Sequence, residues 1–295
     1  MNILITGANG QLGTELKRQS PDRGFFPIPV DLPEVDITRS DQVRASIQDG
    51  KAALVINCAA YTQVDKAESQ EMPAYYVNCV GPAVLAHLCA DAGIPLIHIS
   101  TDFVFDGSKR SPYLETDPIS PMSVYGKSKS VGDAVVERIL PRHIIIRTAW
   151  LYALHGQNFV KTILRLGTEK DVVRVVSDQM GCPTCAADLA EAILIMADAI
   201  RTRQNIAWGT YHYCGKGITS WHGFAQAILD IAQAHVPLKT SLVEPITTDQ
   251  YPTPARRPAY SALNCDKIEK EFGIQTKPWR ESLEKTLVNL LSQTS

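Results

Sequence analysis

A tyrosine and a lysine four residues apart carry the chemistry that this sequence suggests first. Tyr125 and Lys129 stand in the segment Tyr-Gly-Lys-Ser-Lys, and this spacing puts both side chains on one face of a helix. A phenol with a pKa near ~10 is a poor acid–base group at neutral pH, and an adjacent ammonium favours its ionised form. The pair predicts proton transfer to a carbonyl oxygen as hydride reaches the carbon, with Lys129 also holding a nicotinamide ribose. The alternative is a surface pair, because this spacing is common by chance.

A hydroxyl at the end of a strand favours the catalytic interpretation. Ser100 and Thr101 follow an apolar run that we predict to be the fourth strand of a parallel sheet. Ligands in such folds bind beyond the carboxyl ends of the strands, so a hydroxyl there can share the substrate oxygen with Tyr125. The same hydroxyl could instead cap a helix.

A glycine triplet near the start of the chain predicts a phosphate loop. Gly7, Gly10 and Gly13 follow a short apolar strand and open a helix. They would permit a tight turn, close approach of the backbone to a pyrophosphate, and close packing of helix on strand. The helix N-terminus would add free N–H groups and a partial positive charge. The spacing G-x-x-G-x-x-G differs from the commonest dinucleotide fingerprint, and a turn without a ligand is the alternative.

Two aspartates are candidates for the hydrogen bond to the adenosine ribose. Asp31 lies 18 residues after Gly13, and Asp36 follows shortly afterwards. An acidic residue near the end of the second strand takes this role in dinucleotide folds. For either residue alone, a capping or solvated aspartate is an equally good interpretation. If Asp31 faces the ribose, it should disfavour a 2′-phosphate and leave NADH acceptable.

The elements that must position these residues follow from the alternation of apolar and amphipathic segments. We predict strands at 3–5, 25–30, 53–57, 94–100, 143–147 and 172–176, and helices at 12–19, 42–48, 78–92, 123–140, 158–166, 186–200 and 221–234. Pro27 and Pro29 weaken the second strand. Buried strands separated by helices predict a parallel sheet covered on both faces.

The predicted fold class is α/β, a Rossmann-type doubly wound parallel sheet with a smaller α/β substrate domain. We assign residues 1–149 with 171–214 to the dinucleotide-binding domain, and residues 150–170 with 215–295 to the substrate domain. The boundaries are approximate, because the pattern loosens beyond residue 150.

Composition narrows the function classes. The chain has 295 residues, 45% of them hydrophobic, which is enough for a sizeable core. A net charge of −2 gives no reason to expect nucleic acid or an anionic membrane as a partner. The start of the chain lacks the basic region of a signal peptide. Seven cysteines, an odd number, suit reduced thiols in the cytoplasm better than a disulfide framework.

Several longer blocks carry a family resemblance. Besides the glycine loop and the Tyr–Lys pair they are 57–62 (Asn-Cys-Ala-Ala-Tyr-Thr), 100–107 (Ser-Thr-Asp-Phe-Val-Phe-Asp-Gly), 147–150 (Arg-Thr-Ala-Trp), Asp178-Gln179 with Gly181, Pro183 and Thr184, and 251–258 (Tyr-Pro-Thr-Pro-Ala-Arg-Arg-Pro). With these blocks the chain resembles, nearly end to end, the extended short-chain dehydrogenase/reductases that act on nucleotide sugars. The last block is the most specific, and it is closest to that of the reductases completing dTDP-L-rhamnose synthesis.

The resemblance implies a role for each matched position. Thr101, Tyr125 and Lys129 correspond to the catalytic hydroxyl, acid and lysine. The implied cofactor contacts are Gly10, Gln11, Leu12, Asp36, Ile37, Ala60, Tyr61 and Thr62. The implied sugar-nucleotide contacts are Thr101, Asp102 and Trp150. The implied reaction is hydride transfer from NADPH or NADH to the C4 keto group of a deoxysugar carried on dTDP.

Two adjacent arginines in a proline frame are further candidates for the nucleotide sugar. Arg256 and Arg257 stand between Pro254 and Pro258. Their forked donors suit a diphosphate, and the prolines would reduce the entropy lost when the loop orders on a ligand. The alternative is a solvated pair on a surface loop.

We do not extend the resemblance to a metal. Some family members hold magnesium with acidic residues at a dimer interface, and Glu15 fits the first such position, but the tail shows no evident acidic partner. A homodimer stays possible. Cys182 and Cys185 form a single C-x-x-C, whereas a zinc site needs about four ligands. The resemblance explains this stretch better as a substrate loop with cysteines at variable places.

Three functions remain open from the sequence. The first is the 4-ketoreductase that the resemblance implies. The second is another nucleotide-sugar ketoreductase or an epimerase. The third is a non-catalytic regulatory subunit resembling the β subunit of methionine adenosyltransferase, which binds a dinucleotide and a partner. The intact set of Thr101, Tyr125 and Lys129 favours an enzyme.

Overall fold

A computed structural model describes residues 1–292. In chain order its strands and helices are β1 (Asn2–Thr6), α1 (Gln11–Gln19), β2 (Phe26–Val30), α2 (Ser40–Asp49), β3 (Leu54–Asn57), α3 (Val64–Ala67), α4 (Glu71–Tyr75), α5 (Gly81–Ala92), β4 (Leu96–Thr101), α6 (Val124–Ile139), β5 (His143–Thr148), β6 (Leu151–Tyr152), α7 (Phe159–Glu169), β7 (Val172–Val176), β8 (Met180–Gly181), β9 (Thr184–Cys185), α8 (Ala186–Thr202), β10 (Gly209–His212), β11 (Thr219–Ser220), α9 (Trp221–Ala232), β12 (Leu242–Ile246), α10 (Asp266–Phe272) and α11 (Trp279–Ser292). A π-helical turn, Tyr76–Val80, joins α4 to α5.

Six strands form one parallel sheet in the order β2-β1-β3-β4-β5-β10. The chain runs from β1 outward to β2 and then returns across β1 to β3. The strand order therefore reverses between β1 and β3, and a crevice opens at such a switch point. This topology confirms the predicted Rossmann-type α/β class.

The sheet is buried on both faces. Every residue of β3 and of β5 is buried, as expected for strands covered by helices on two sides. One apolar layer joins the sheet to α1 and α8, and the opposite layer joins it to α2, α5 and α6. No helix among residues 1–292 combines the length and apolar character needed to cross a membrane.

The second strand forms as predicted, whereas the C-terminal part differs from the prediction. The prolines of β2 are accommodated because β2 is an edge strand that pairs with β1 alone. The Phe26 N–H donates to Met1, so the alternate positions 27 and 29 face away from β1 and need no N–H group there. The C-terminal part contains more regular structure than predicted. β12, α10 and α11 were not predicted, and β12 contains Pro245, which weakens a strand prediction.

A second apolar cluster lies outside the six-stranded sheet. It joins the β7–β12 pair to α7, α9 and α11. The division into 1–149 with 171–214 and 150–170 with 215–295 stays a prediction. β10 belongs to the large sheet, whereas β7 pairs with a strand from the C-terminal part.

Helix α6 can approach the π-helical turn only because position 132 is glycine. A Cβ at Gly132 would lie 2.0 Å from the carbonyl oxygen of Asn78. Alanine would favour the helix itself, but relief of this clash requires a backbone shift. We expect Gly132→Ala to lower the free energy of unfolding by about 1–3 kcal/mol, measured by urea denaturation. The neighbouring exposed variant Val131→Ala is the control and should change little. A Gly132→Ala protein as stable as the native one would contradict the close approach.

Candidate active site

A cleft of about 750 Å³ opens at the carboxyl ends of the sheet strands. It brings together most of the residues that the sequence singled out. Those that line it are Gly7, Gly10, Gln11, Leu12, Gly13, Asp31, Asp36, Ile37, Ala60, Thr62, Thr101, Asp102, Tyr125, Lys129 and Trp150. The crevice lies where the strand order predicts a ligand site.

Three candidates lie elsewhere. The Tyr61 hydroxyl donates to Gln70 Oε1 at 2.9 Å, and Arg256 is exposed. Arg257 forms a two-pronged ion pair with Asp65, with distances of 2.9 and 2.7 Å to the two carboxylate oxygens. The structure thus gives Arg257 a protein partner where the sequence predicted a diphosphate. The pair fastens the 251–258 loop to the segment after β3.

The glycine loop has the shape that a pyrophosphate requires. Gly7 has φ +64°, and a Cβ there would lie 2.6 Å from the backbone nitrogen of Ala59. A Cβ at Gly13 would lie 2.3 Å from the Gly7 carbonyl oxygen, so α1 packs directly on the loop. Gly10 precedes α1 and contributes no capping side chain. The first N–H groups of α1 therefore remain for an anion in the cleft.

Both candidate ribose carboxylates reach the cleft. Asp31 accepts hydrogen bonds from the backbone N–H groups of Asn9 (2.7 Å) and Leu32 (2.8 Å), which ties the glycine loop to the end of β2. Asp36 Oδ1 accepts from the N–H and the hydroxyl of Thr38 at 2.9 and 2.8 Å. Their contacts with a ribose stay predictions.

Tyr125 lies in the first turn of α6, and Ser123 caps that helix by accepting the Gly126 N–H. Burial raises the pKa of Tyr125 to about 12, although the nearby Thr101 hydroxyl lowers it. The direction is opposite to the one expected from the Tyr–Lys spacing, because burial and the charges of Asp102 and Asp133 together outweigh the Thr101 hydrogen bond. The phenol is consequently protonated at neutral pH, which suits a group that donates a proton.

Thr101 combines the two interpretations of its hydroxyl. It lines the cleft, and its Oγ1 also accepts the Phe103 N–H at 3.2 Å as a helix cap. The hydroxyl donates to Asp102 Oδ1 at 3.1 Å. Burial raises the pKa of Asp102 to about 6, while Ser261 and Thr101 lower it. Asp102 Oδ2 is buried and has no hydrogen-bond partner among the described residues.

The side chain of Lys129 is buried below the cleft surface. Its Nζ donates to the Ile99 carbonyl oxygen at 2.6 Å. Burial lowers the pKa of Lys129 to about 8, against the opposing influence of Asp133. Lys129 thus loses its proton near the upper end of the physiological range, far below an exposed lysine.

Trp150 adopts a left-handed backbone conformation, with φ +46°. Its ring stacks on the Trp221 ring, with 3.6 Å between the two centroids. The ring also lies against Gly181, where a Cβ would be 2.5 Å from the indole. A non-glycine residue keeps such a conformation only when the surroundings fix it. Trp221 and Gly181 therefore hold the indole at the edge of the cleft.

Sequence reasoning missed the segment 156–158, which completes the cleft wall. Asn158 donates to Gln11 Oε1 at 3.0 Å and so joins this segment to the glycine loop. Asn158 also caps α7 by accepting the Lys161 N–H. An asparagine directly before an apolar helical run is a cap signal that could have marked the position.

The remaining cysteine and acidic candidates do not gather into a metal centre. Within residues 1–292 no cluster of three or more His, Cys, Asp or Glu side chains has the geometry to hold a metal ion. Cys182 and Cys185 are both buried, but they have different neighbours. Cys182 lies beside Cys214, and Cys185 Sγ lies 3.6 Å from Thr286 Oγ1.

Comparison with known proteins gives one consistent result. The family model described as RmlD substrate binding domain matches residues 1–292. A dTDP-4-dehydrorhamnose reductase of Aggregatibacter actinomycetemcomitans is 43% identical over 284 residues, or 96% of this chain and 97% of that protein. The crystal structure of such a reductase from Clostridium acetobutylicum has a TM-score of 0.92 and 42% identity, covering 99% and 100% of the chains. That of the Bacillus anthracis reductase in complex with NADP has a TM-score of 0.89 and 36% identity, covering 98% and 99%.

The geometry of the glycine loop predicts how a substitution at Gly10 changes cofactor affinity. Gly10 has φ −71°, which alanine also adopts, and a Cβ there would touch only the Gly7 carbonyl oxygen, at 3.2 Å. We expect Gly10→Ala to fold normally and to bind NADPH about tenfold more weakly or worse, a loss of ~1.4 kcal/mol, because the methyl group keeps the pyrophosphate from the backbone. Thr14→Ala, in the same helix but outside the cleft wall, is the control. Unchanged affinity of Gly10→Ala in calorimetry would remove the loop from the cofactor site.

Proposed function

The chain belongs to the RmlD substrate-binding-domain family, and we propose that it reduces dTDP-4-dehydro-β-L-rhamnose to dTDP-L-rhamnose with NADPH or NADH. The observation that carries this proposal is the convergence of the glycine loop, Thr101, Tyr125 and Lys129 on a single cleft. Relatives that match over the full length bear the name of this reductase, which favours it over an epimerase or a regulatory subunit.

The bound nicotinamide supplies the hydride in this reaction. Tyr125 is the proton donor: its raised pKa keeps the phenol protonated until the oxygen at C4 becomes basic. Thr101 holds the same oxygen with the single proton of its hydroxyl, which turns away from Asp102 when the substrate binds. Lys129 holds the nicotinamide ribose, and its positive charge stabilises the phenolate left after proton transfer.

The sugar nucleotide is recognised at the outer part of the cleft. Trp150 offers a ring that Trp221 already holds in place, so little side-chain entropy is lost when a sugar packs against it. Asp102 offers a buried oxygen without a partner in the described structure, suited to a sugar hydroxyl. Arg257 contributes to sugar-nucleotide binding indirectly. Its ion pair with Asp65 keeps the 251–258 loop ordered.

Cofactor choice depends on the end of β2. Asp31 uses both carboxylate oxygens on backbone N–H groups, which leaves its charge close to the expected ribose. That charge favours NADH, whereas the Bacillus anthracis relative was solved with NADP. Our proposal therefore includes both cofactors.

The proposal also places the reaction in the cytoplasm. The seven free thiols support this location, because thiols stay reduced there.

The direct test is turnover of the proposed substrate. We expect the purified protein to oxidise NADPH or NADH, followed at the nicotinamide absorbance, only when dTDP-4-dehydro-L-rhamnose is added, and to yield dTDP-L-rhamnose. Parallel reactions with other 4-keto nucleotide sugars report the specificity. Tight dinucleotide binding without turnover of any of these sugars would sink the proposal and favour the regulatory interpretation.

The role of Tyr125 as proton donor can be tested by removing its hydroxyl group. Tyr125→Phe keeps the ring that packs edge-on against Phe103 at 5.5 Å, so fold and cofactor affinity should persist. Turnover should fall by roughly 10²–10⁴-fold, the usual contribution of a general acid. Tyr76→Phe makes the same change at an exposed position outside the cleft wall and should be silent. Residual turnover of Tyr125→Phe within a few-fold of native would assign the proton to another group.

A further inference from the structure

Lys129 ends in a buried polar cluster that the proposed reaction does not itself use. His98, Asp133 and Arg147 surround it, and all four residues are at most 2% exposed. Lys129 Nζ lies 3.4 Å from His98 Nε2, and the same nitrogen lies 3.5 Å from Asp133 Oδ1. Arg147 Nε lies 3.7 Å from Asp133 Oδ2. His98, Asp133 and Arg147 are not among the residues that line the cleft, so they act on the site through the lining residues Lys129 and Ser100.

A directed chain of hydrogen bonds fixes the tautomer of His98. Asn57 Oδ1 accepts the Ala59 N–H at 3.1 Å, which sets the orientation of the Asn57 carboxamide. Asn57 Nδ2 then donates to His98 Nδ1 at 2.9 Å. The proton of the neutral ring must therefore be on Nε2, which lies 3.5 Å from Asp133 Oδ1 and has no lone pair for Lys129. Burial and the Lys129 charge lower the pKa of His98 to about 4, so the ring is neutral at physiological pH.

Asp133 lies beside the protonated Nε2 at the end of this chain, and its other carboxylate oxygen accepts a hydrogen bond. The Ser100 hydroxyl donates to Asp133 Oδ2 at 2.6 Å. Burial alone would raise the pKa of Asp133, but the neighbouring His98 ring and the charge of Lys129 bring it below its ordinary value. Asp133 is therefore an anion, with Arg147 beside one of its oxygens and the Lys129 charge in the same buried cluster. A buried cation without such a counter-charge tends to lose its proton.

We propose that Asp133 is a positioning residue for the reduction: oriented by His98 and Ser100, its carboxylate keeps the Lys129 ammonium charged and fixed on the Ile99 carbonyl. It does so without touching cofactor or substrate. The inference rests on the proposed role of Lys129 at the nicotinamide ribose. It extends the functional set from the cleft wall to a second layer contributed by β3, β4 and α6.

The charge state of Lys129 has a defined pH dependence. The groups that face it are Asp133 on its own helix, His98 on β4 and Cys58 after β3, with Tyr125 one helical turn away and Arg147 of β5 acting on Asp133. The ammonium is present below the pKa of Lys129 and is lost as the pH rises through it. Removing the Asp133 charge lowers that pKa further, so the loss must occur at lower pH.

The test measures NADPH affinity as a function of pH and needs no sugar nucleotide. Native affinity should fall as the pH rises through the pKa of Lys129. In Asp133→Asn the fall should begin about 1–3 pH units lower, the usual effect of one nearby opposite charge. The alkaline limb of kcat should move in the same direction. Asp133→Glu, which restores the charge, should return the limb toward its native position.

A matched control separates this effect from a general change in charge or stability. Glu137→Gln removes one carboxylate from the same helix, one turn further along and exposed. It should leave the pH profile unchanged. An Asp133→Asn protein with a lower melting temperature but the native pH profile would make Asp133 merely structural and overturn the proposal. A native affinity that is flat across the alkaline range would overturn it as well.

A second measurement uses the native protein, in case Asp133→Asn does not fold. The ring nitrogens of His98 in ¹⁵N-histidine-labelled protein should report a neutral ring protonated at Nε2 at physiological pH. The Nδ1-protonated tautomer, or a charged ring, would break the chain to Asp133. Neither this spectrum nor the NADPH profile depends on the sugar. A failure of the proposed reductase activity alone would therefore leave both tests intact.

Discussion

Burial of the Lys129 ammonium is the constraint on which the rest of the site depends. A charge removed from water must find its solvation within the protein, or it is neutralised. Here the Ile99 carbonyl supplies the short hydrogen bond and Asp133 the counter-charge. Because β4 provides Ile99 as well as His98 and Thr101, one strand sets the position of the lysine and of the catalytic hydroxyl together.

Two glycines allow α6 to bring its functional residues to that strand. A Cβ at Gly126 would lie 2.2 Å from the Phe103 carbonyl oxygen, and one at Gly132 would lie 2.0 Å from that of Asn78. They flank Lys129 on both sides along the helix, so backbone contacts rather than side-chain layers define how deeply α6 sits. Close packing of this kind resists adjustment, which gives the Tyr125 phenol a fixed position.

The sequence was sufficient wherever the deciding contacts are local. The parallel strands follow from buried apolar runs, the tightly packed glycine loop from glycine spacing, and the Tyr125–Lys129 pair from one helical turn. It failed where the contacts are distant. Nothing near Arg257 indicates Asp65 as its partner, and nothing near Asn158 indicates Gln11. The pKa of Tyr125 depends on how deeply the ring is buried, which only the packed structure reveals.

The ion pair between Asp65 and Arg257 joins positions 192 residues apart in the chain. Synthesis proceeds from the N-terminus, and domains begin to fold before the chain is complete. The glycine loop and β1 to β5 therefore emerge long before the residue that fastens the 251–258 loop to them. On the ribosome the residues of the cleft wall, which end at Asn158, are all synthesised before this loop. Attachment of the 251–258 loop is thus a late event in biogenesis, set by chain order rather than by the stability of the sheet.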